Sequence, residues 1–203
     1  MVLRIIKRSI RPNSQDVFSQ LYKSLVRPIL EDAAPVWSPY LIKYIVALEK
    51  VQWRASRLAL RQKCDQMSYR HRCSLLKWQT LEKRREFPSL VQCCQIVFGI
   101  DHLSFPDFFE SANSTHNRAN HDYKLYLRRV VCNCSKYSFF IRVVRKWNDL
   151  PGYIVHAKSL SVFKTRLTIY LNIYWIFGES VAIKFCLYNF CKFLVREIVF
   201  IQG

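Results

Sequence analysis

The chain has 203 residues, 51% of them hydrophobic, so it is long enough and apolar enough to bury a core. Its 32 Lys and Arg residues outnumber 14 Asp and Glu residues and leave a formal net charge of +18 at pH 7. This composition excludes a disordered tail, and the charge favours a polyanionic partner: nucleic acid, an anionic lipid surface or an acidic protein.

The amino-terminal segment 1–12 argues against secretion, because Arg4, Lys7 and Arg8 interrupt the apolar run that a signal peptide needs. The 8 Cys residues show neither C-x-x-C spacing nor a regular disulfide framework, which favours reduced thiols. The longest apolar run, 167–178, is shorter than the roughly 18 residues that a membrane span requires. We therefore expect a nuclear or cytoplasmic protein that is not secreted.

The first predicted helix begins at Ser14, a suitable N-cap, and Pro28 should kink it or end it early. Its predicted apolar stripe recurs at four-residue steps: Val17, Leu21, Leu25 and Ile29. The next segment, 34–40, contains Pro residues typical of a turn. We interpret Trp37 in this turn as an anchoring core aromatic.

The clearest helical periodicity runs from about 41 to 61. Apolar residues at steps of three and four predict its buried face: Leu41, Tyr44, Ile45, Leu48, Val51, Ala55 and Leu58. The opposite side carries a narrow row of cations, here called the basic stripe: Lys43, Lys50, Arg54, Arg57 and Arg61. Glu49 is the only acid in this helix, so the usual i,i+4 ion pairs are missing. The stripe is a candidate nucleic-acid-binding surface; an ordinary solvated face is the alternative.

Two further helices are predicted before residue 100. The first runs from Ser68 to about Lys77, and Thr80 caps the second. Pro88 should bend the second helix, and Gly99 should end it in the left-handed conformation.

The second half begins with 111–122, whose Ser, Asn, Thr and His residues predict a surface loop. Residues 123–131 include β-branched and aromatic residues, which favour a short strand. A helix over 137–148 follows, with its inward residues predicted to be Phe140, Val143, Val144 and Trp147. The last predicted helix begins at Ser159 and has one apolar face: Phe163, Leu167 and Leu171.

Together these elements predict a mainly α fold, an irregular helical bundle with at most one short strand pair near residues 123–131. The expected organisation is a basic helical region over 1–110, the loop 111–122, a second helical region over 123–171 and a hydrophobic tail over 172–203. The tail fits either an interfacial membrane helix or strands, and both interpretations stay open.

No compact catalytic signature is present. The 4 Gly residues are too scattered for a phosphate-binding loop or a dinucleotide fingerprint. Carboxylates do not cluster as two-metal phosphoryl transfer requires, since neighbours such as Glu31 and Asp32 stand alone. We therefore predict that the chain is not an enzyme and has no catalytic residue, cofactor, metal or small-molecule substrate.

The sequence offers one conceivable zinc site. Its four conceivable ligands are His116, His121, Cys132 and Cys134. The C-x-x-C spacing is missing and both His residues fall in a predicted loop, so isolated thiols are the favoured interpretation.

Five strings occur in order along the chain: 21–40 (LYKSLVRPILEDAAPVWSPY), 48–57 (LEKVQWRASR), 81–85 (LEKRR), 139–151 (FFIRVVRKWNDLP) and 159–171 (SLSVFKTRLTIYL). The fourth contains a Trp-Asn-x-Leu-Pro signature after an aromatic stretch. Together they resemble the region carboxyl-terminal to the polymerase core in reverse transcriptases of Jockey-like non-LTR retrotransposons. The resemblance covers roughly residues 1–171 and leaves out the hydrophobic tail.

The resemblance implies a helical thumb-side region that helps to hold template and primer beside a catalytic core. No position of this chain matches the family's metal-binding aspartates, and nothing matches its endonuclease. The resemblance therefore implies no polymerase activity for this chain. Asp32 and Pro88 depart from the family pattern, as in a degenerate copy.

Three hypotheses about function remain open. The first is a non-catalytic fragment that binds RNA or an RNA–DNA duplex through the basic stripe, without sequence selectivity. The second is an inert translated remnant with no function of its own. The third is a peripheral membrane protein that binds lipid through residues 172–203.

Overall fold

A computed structural model describes residues 2–9, 15–60, 66–112 and 121–177. Within these ranges the regular elements are helices, a result that confirms the mainly α fold. In chain order they are α1 (Val2–Ser9), α2 (Gln15–Leu21), a π-helical segment (Tyr22–Val26), α3 (Arg27–Glu31), α4 (Ala34–Trp37), α5 (Ile42–Leu60), α6 (Tyr69–Leu75), α7 (Leu81–Val97), α8 (Phe105–Phe108), α9 (Asn133–Lys136), α10 (Phe139–Asn148), α11 (Gly152–Val155) and α12 (Leu160–Phe177).

The described residues group into two compact units. Unit 1 comprises Met1–Ser89 with Val130–Phe139, and unit 2 comprises Leu90–Arg129 with Phe140–Gly203. Helix α7 therefore contributes its first half to one unit and its second half to the other.

Unit 1 encloses an apolar core around two stacked rings. Tyr22 and Trp78 are 0% and 1% exposed, and their ring centroids lie 4.4 Å apart. The remaining core residues come from α1, α2, the π-helical segment, α5, α6 and the turn after α6: Ile6, Phe18, Val26, Ala55, Ala59, Leu60, Cys73 and Leu76.

The apolar stripe predicted for the first long helix is wrong by one residue. Val17, Leu25 and Ile29 are 48%, 48% and 64% exposed, whereas the adjacent positions are buried: Phe18, Tyr22 and Val26. The remaining predicted member, Leu21, is partly buried against the core. Both rows are apolar and recur every four residues, and the buried one carries the larger aromatic side chains, which have more area to remove from water.

Pro28 interrupts this helix without ending it. It lies at the start of α3, directly after the π-helical segment Tyr22–Val26. Proline has no amide hydrogen to complete an α-helical bond, and a π-helical turn re-routes the bonding where the ladder is broken. The expected cap, Ser14, lies outside the described residues.

Trp37 is not the core anchor that its turn suggested. It is 40% exposed, and its indole nitrogen donates to the carbonyl oxygen of Asp32. The Trp37 side chain thus stabilises the turn between α3 and α4 at the protein surface. Trp147 is 0% exposed, which confirms its predicted place in a core.

The predicted helix ends after residue 67 are confirmed. Ser68 Oγ accepts a 3.2 Å bond from the backbone of His71 at the start of α6, and Gly99 has the left-handed φ of 62°. The backbone N–H of Ile100 then reaches the Gln95 carbonyl at 2.8 Å, as in a Schellman cap. Helix α7 continues through Pro88 to Val97.

Unit 2 is organised by the Trp-Asn-x-Leu-Pro signature. Trp147 donates its indole N–H to the Tyr123 carbonyl at 2.8 Å. The Asn148 amide accepts from the Leu125 N–H at 3.0 Å and donates to the Leu125 carbonyl at 2.8 Å. The side chains of the signature at the end of α10 therefore hold residues 123–125 in place by hydrogen bonds to their backbone atoms.

The strand expected over 123–131 is not formed. Within the described part of unit 2, Leu125 makes one isolated antiparallel bridge to Ser111. The two backbone bonds of this bridge come from neighbouring residues: the Ala112 N–H donates to the Lys124 carbonyl at 2.9 Å, and the Tyr126 N–H donates to the Glu110 carbonyl at 2.7 Å. Asn148 bonds the N–H and the carbonyl of Leu125 on the opposite edge, so no second strand can pair with Leu125 there.

No three His, Cys, Asp or Glu residues lie close enough to hold a metal ion within the described ranges. Of the four conceivable zinc ligands, His121 is 3% exposed, Cys132 and Cys134 are exposed, and His116 lies outside the described residues. Among the helices described here, none is long and apolar enough to cross a membrane. The tail's proposed membrane contact falls almost wholly outside the described ranges.

Candidate nucleic-acid interface

Helix α5 displays the basic stripe to solvent. Its described members are all exposed: Lys43, Lys50, Arg54 and Arg57. At 1.5 Å of rise per residue they extend over about 21 Å, a length that spans several phosphates of a nucleic-acid strand. The fifth predicted member, Arg61, lies outside the described residues.

The buried side of α5 is rotated from the predicted one. Of the predicted face, Ala55 is buried, and Val51 and Leu58 are partly buried against the core. Leu41 and Tyr44 are 40% and 52% exposed, and the buried side chains are Gln52, Ala55, Ser56, Ala59 and Leu60. Hydrophobic periodicity could not find this face because its centre includes two polar residues. At about 100° per residue, the observed buried face of α5 lies almost opposite the basic stripe.

Gln52 anchors the helix from within. Its carbonyl oxygen accepts from the Tyr22 hydroxyl at 3.0 Å. Its amide nitrogen donates to the Tyr69 hydroxyl at 3.0 Å and to the Gln79 carbonyl at 2.8 Å. A buried amide costs stability unless it is bonded, so these three partners fix the rotation of α5 about its axis.

The hydrogen bonds of Glu49 go to groups of α6 and α7. Its carboxylate accepts a hydrogen bond from Tyr69 and a 3.2 Å bond from the backbone N–H of Leu81, the first residue of α7. A carboxylate at a helix N-terminus is favourable because the helix dipole is positive there. Burial and the Glu49 carboxylate both raise the pKa of Tyr69 far above its ordinary value. Glu49, the single acid of α5, is thus hydrogen-bonded to Tyr69 and to the first residue of α7.

Trp53 borders the stripe and was missed in the sequence. It is 38% exposed, with the guanidinium carbon of Arg57 5.0 Å and that of Arg72 5.5 Å from a ring centroid. The Trp53–Arg57 spacing is an i,i+4 pair and could have been noticed in the sequence. Arg72 belongs to α6, so its approach to the ring requires the tertiary structure.

Positive charge continues beneath the surface of unit 1. Arg27 and Arg85 are 8% and 3% exposed, and burial lowers the pKa of each guanidinium. Glu31 accepts a 2.7 Å bond from Arg84 and lies 3.9 Å from Arg27. One carboxylate is therefore shared by two cations, and the unit remains electropositive behind the stripe.

The fold and this surface define a mainly α protein with one cationic helix face bordered by a tryptophan. Comparisons with protein-family models, with curated proteins and with solved structures found no match to the chain.

Proposed function

We propose that this chain is a non-catalytic module that binds RNA or an RNA–DNA duplex through the basic stripe of α5. We also propose that it derives from the region carboxyl-terminal to the polymerase core of a Jockey-like non-LTR reverse transcriptase. The observation that carries the binding proposal is the row of exposed cations on α5, whose only acid is bonded to Tyr69 and α7. A nuclear or cytoplasmic location is part of the same proposal.

The stripe would act through phosphates and without sequence selectivity. Lys and Arg side chains at a surface neutralise backbone phosphates and release condensed counterions, a gain that does not depend on the base sequence. The long, flexible side chains of Lys43, Lys50 and Arg54 suit this role, because phosphate contact needs charge more than a fixed geometry.

The proposed origin gains support from the roles of the family-like strings. The string 48–57 supplies most of the stripe and its buried anchor Gln52, and the signature in 139–151 fastens unit 2. Both are structural roles that need no catalytic residue.

The test is a charge-removing triple variant, Lys43→Gln, Lys50→Gln and Arg54→Gln, which preserves helix propensity. We expect the slope of log affinity against log salt to flatten by about 2 to 3 units on either a duplex or a single strand. Fluorescence anisotropy over a salt series measures the slope, and circular dichroism checks the fold.

The matched control removes three exposed cations of the other unit: Arg129, Lys158 and Lys164, each changed to Gln. A general effect of net charge would flatten the slope equally in both triples. That result would remove α5 as the site and reject the proposal.

A further inference from the structure

Trp53 differs from the tryptophans that build the two cores. Trp78 and Trp147 are 1% and 0% exposed, whereas Trp53 is 38% exposed on a helix whose neighbouring surface positions carry cations. Lys50 precedes it by one turn, Arg54 follows it directly, and Arg57 follows it by one turn. A partly exposed indole surrounded by cations differs from the usual apolar setting of a tryptophan.

A buried arginine, Arg72, lies next to the Trp53 ring and is held in place by hydrogen bonds. Arg72 is 4% exposed, and its guanidinium donates to Ser56 Oγ at 3.1 Å and to the Met67 carbonyl at 2.5 Å. Its central carbon lies 5.5 Å from the Trp53 ring centroid. Because these bonds hold the guanidinium of Arg72 in place, Trp53 contacts a cation with a fixed position.

The other cation over the ring is exposed. Arg57 lies 5.0 Å from the Trp53 centroid, and its side chain is accessible to solvent. An arginine in this position can stack on a base that approaches the ring from the side. A flat aromatic ligand arriving at Trp53 would find an electron-rich ring, a nearby guanidinium and further cations one turn away.

We infer that Trp53 is a stacking platform for an unpaired base, so the basic stripe takes single-stranded nucleic acid in preference to duplex. This inference rests on the proposed function. In a duplex the base faces are covered by their neighbours, so only phosphates are available to the stripe. In a single strand one base can stack on Trp53 while adjacent phosphates contact Lys50 and Arg54.

The first arm of the test uses the unaltered protein. A single strand of about 12 nucleotides is compared with a strand of equal length and charge that carries abasic sites. We expect the abasic strand to bind about 5- to 150-fold more weakly, the range expected for loss of one base–aromatic stack. Equal affinity for the two strands would overturn the inference, and no folding defect can obscure that result.

The second arm assigns the effect to Trp53. We expect Trp53→Leu to lose the difference between the intact and abasic strands and to leave duplex affinity within about twofold. Trp53→Phe should retain much of the difference, because a smaller aromatic ring remains. The matched control is Trp37→Leu, at the other tryptophan described as exposed in unit 1.

The outcomes separate this inference from the proposed function. If Trp53→Leu weakens single strand and duplex alike, or if Trp37→Leu has the same effect, the stacking platform is rejected. The flattened salt slope of the Lys43, Lys50 and Arg54 variant would still stand in that case. If the slope fails to change while the abasic strand binds weakly, the phosphate contacts lie elsewhere and the proposed function is rejected.

Discussion

The two units satisfy their interior polar groups in different ways. In unit 1 the buried amide of Gln52 bonds mainly to other side chains, those of Tyr22 and Tyr69. In unit 2 the side chains of Trp147 and Asn148 bond to backbone atoms around residues 123–125. One interior depends on matched side chains, and the other depends on a short motif.

This difference explains what can be recognised in a sequence. A side chain that bonds to backbone needs no particular residue at the other end, so the requirement stays within one string such as Trp-Asn-x-Leu-Pro. A side-chain network distributes its requirement over distant positions: Gln52 lies 30 residues from Tyr22 and 17 from Tyr69. No single string reveals it.

The largest expected effect is in unit 2. Trp147→Ala should destabilise the protein by about 3 to 5 kcal/mol, because it leaves a large cavity and frees the Tyr123 carbonyl from its indole donor. Urea unfolding measures the loss. The exposed Trp37 provides the comparison, and Trp37→Ala should cost at most about 2 kcal/mol. Similar losses for the two variants would mean that Trp147 is not the centre of its core.

A smaller effect is expected from the network of unit 1. Gln52→Met keeps the volume but leaves the Tyr22 and Tyr69 hydroxyls without the amide, and it should cost about 1 to 3 kcal/mol. A double-mutant cycle with Tyr69→Phe tests the coupling. We expect the combined loss to be smaller than the sum of the single losses. Strict additivity would contradict a shared network.

The smallest effect concerns pH and His121. This imidazole is 3% exposed, its Nε2 lies 3.2 Å from the Trp147 carbonyl, and burial lowers its pKa below the ordinary 6.5. The hydrogen bond to the Trp147 carbonyl and the charge of Asp122 oppose this lowering of the pKa, whereas the charges of Lys124 and His156 add to it. The unfolded chain therefore binds this proton first as pH falls, so the stability that the neutral ring contributes should be lost as pH falls below about 6.5.

The pH effect is measured as the change in unfolding free energy between about pH 7.5 and about pH 5.5. His121→Gln should reduce that change, and His102→Gln, at an exposed residue that is not among the groups that shift the pKa of His121, serves as the control. A drop in stability that is unchanged by His121→Gln would assign the titration to other groups.

Much of the fold was predictable from local patterns. The helix ends at Ser68 and Gly99 followed from cap chemistry, and three of the four inward residues predicted for α10 are buried: Val143, Val144 and Trp147. The apolar stripe of the first long helix failed because two adjacent apolar rows share the same period. In place of the strand over 123–131, Leu125 makes an isolated bridge to Ser111, and Asn148 bonds the opposite edge of Leu125.

The candidate site was predictable in part. The exposed cations of α5 could be placed from their spacing, because charge on a regular helix needs only a period. The buried face could not, because Gln52 and Ser56 are polar and depend on tertiary partners for their place inside. Arg72, which supports Trp53, comes from a separate helix and leaves no signal in the string 48–57.

Glu49 has a consequence for how this helix can tolerate mutation. In a library of random substitutions selected only for folding, the outward positions of α5 should accept many residues, and tolerance should rise and fall with the helical period. Glu49 should resist replacement by Lys although that change would add charge to a basic surface, since its carboxylate serves Tyr69 and the first amide of α7. An evolving lineage could therefore change the cations more freely than the lone acid among them.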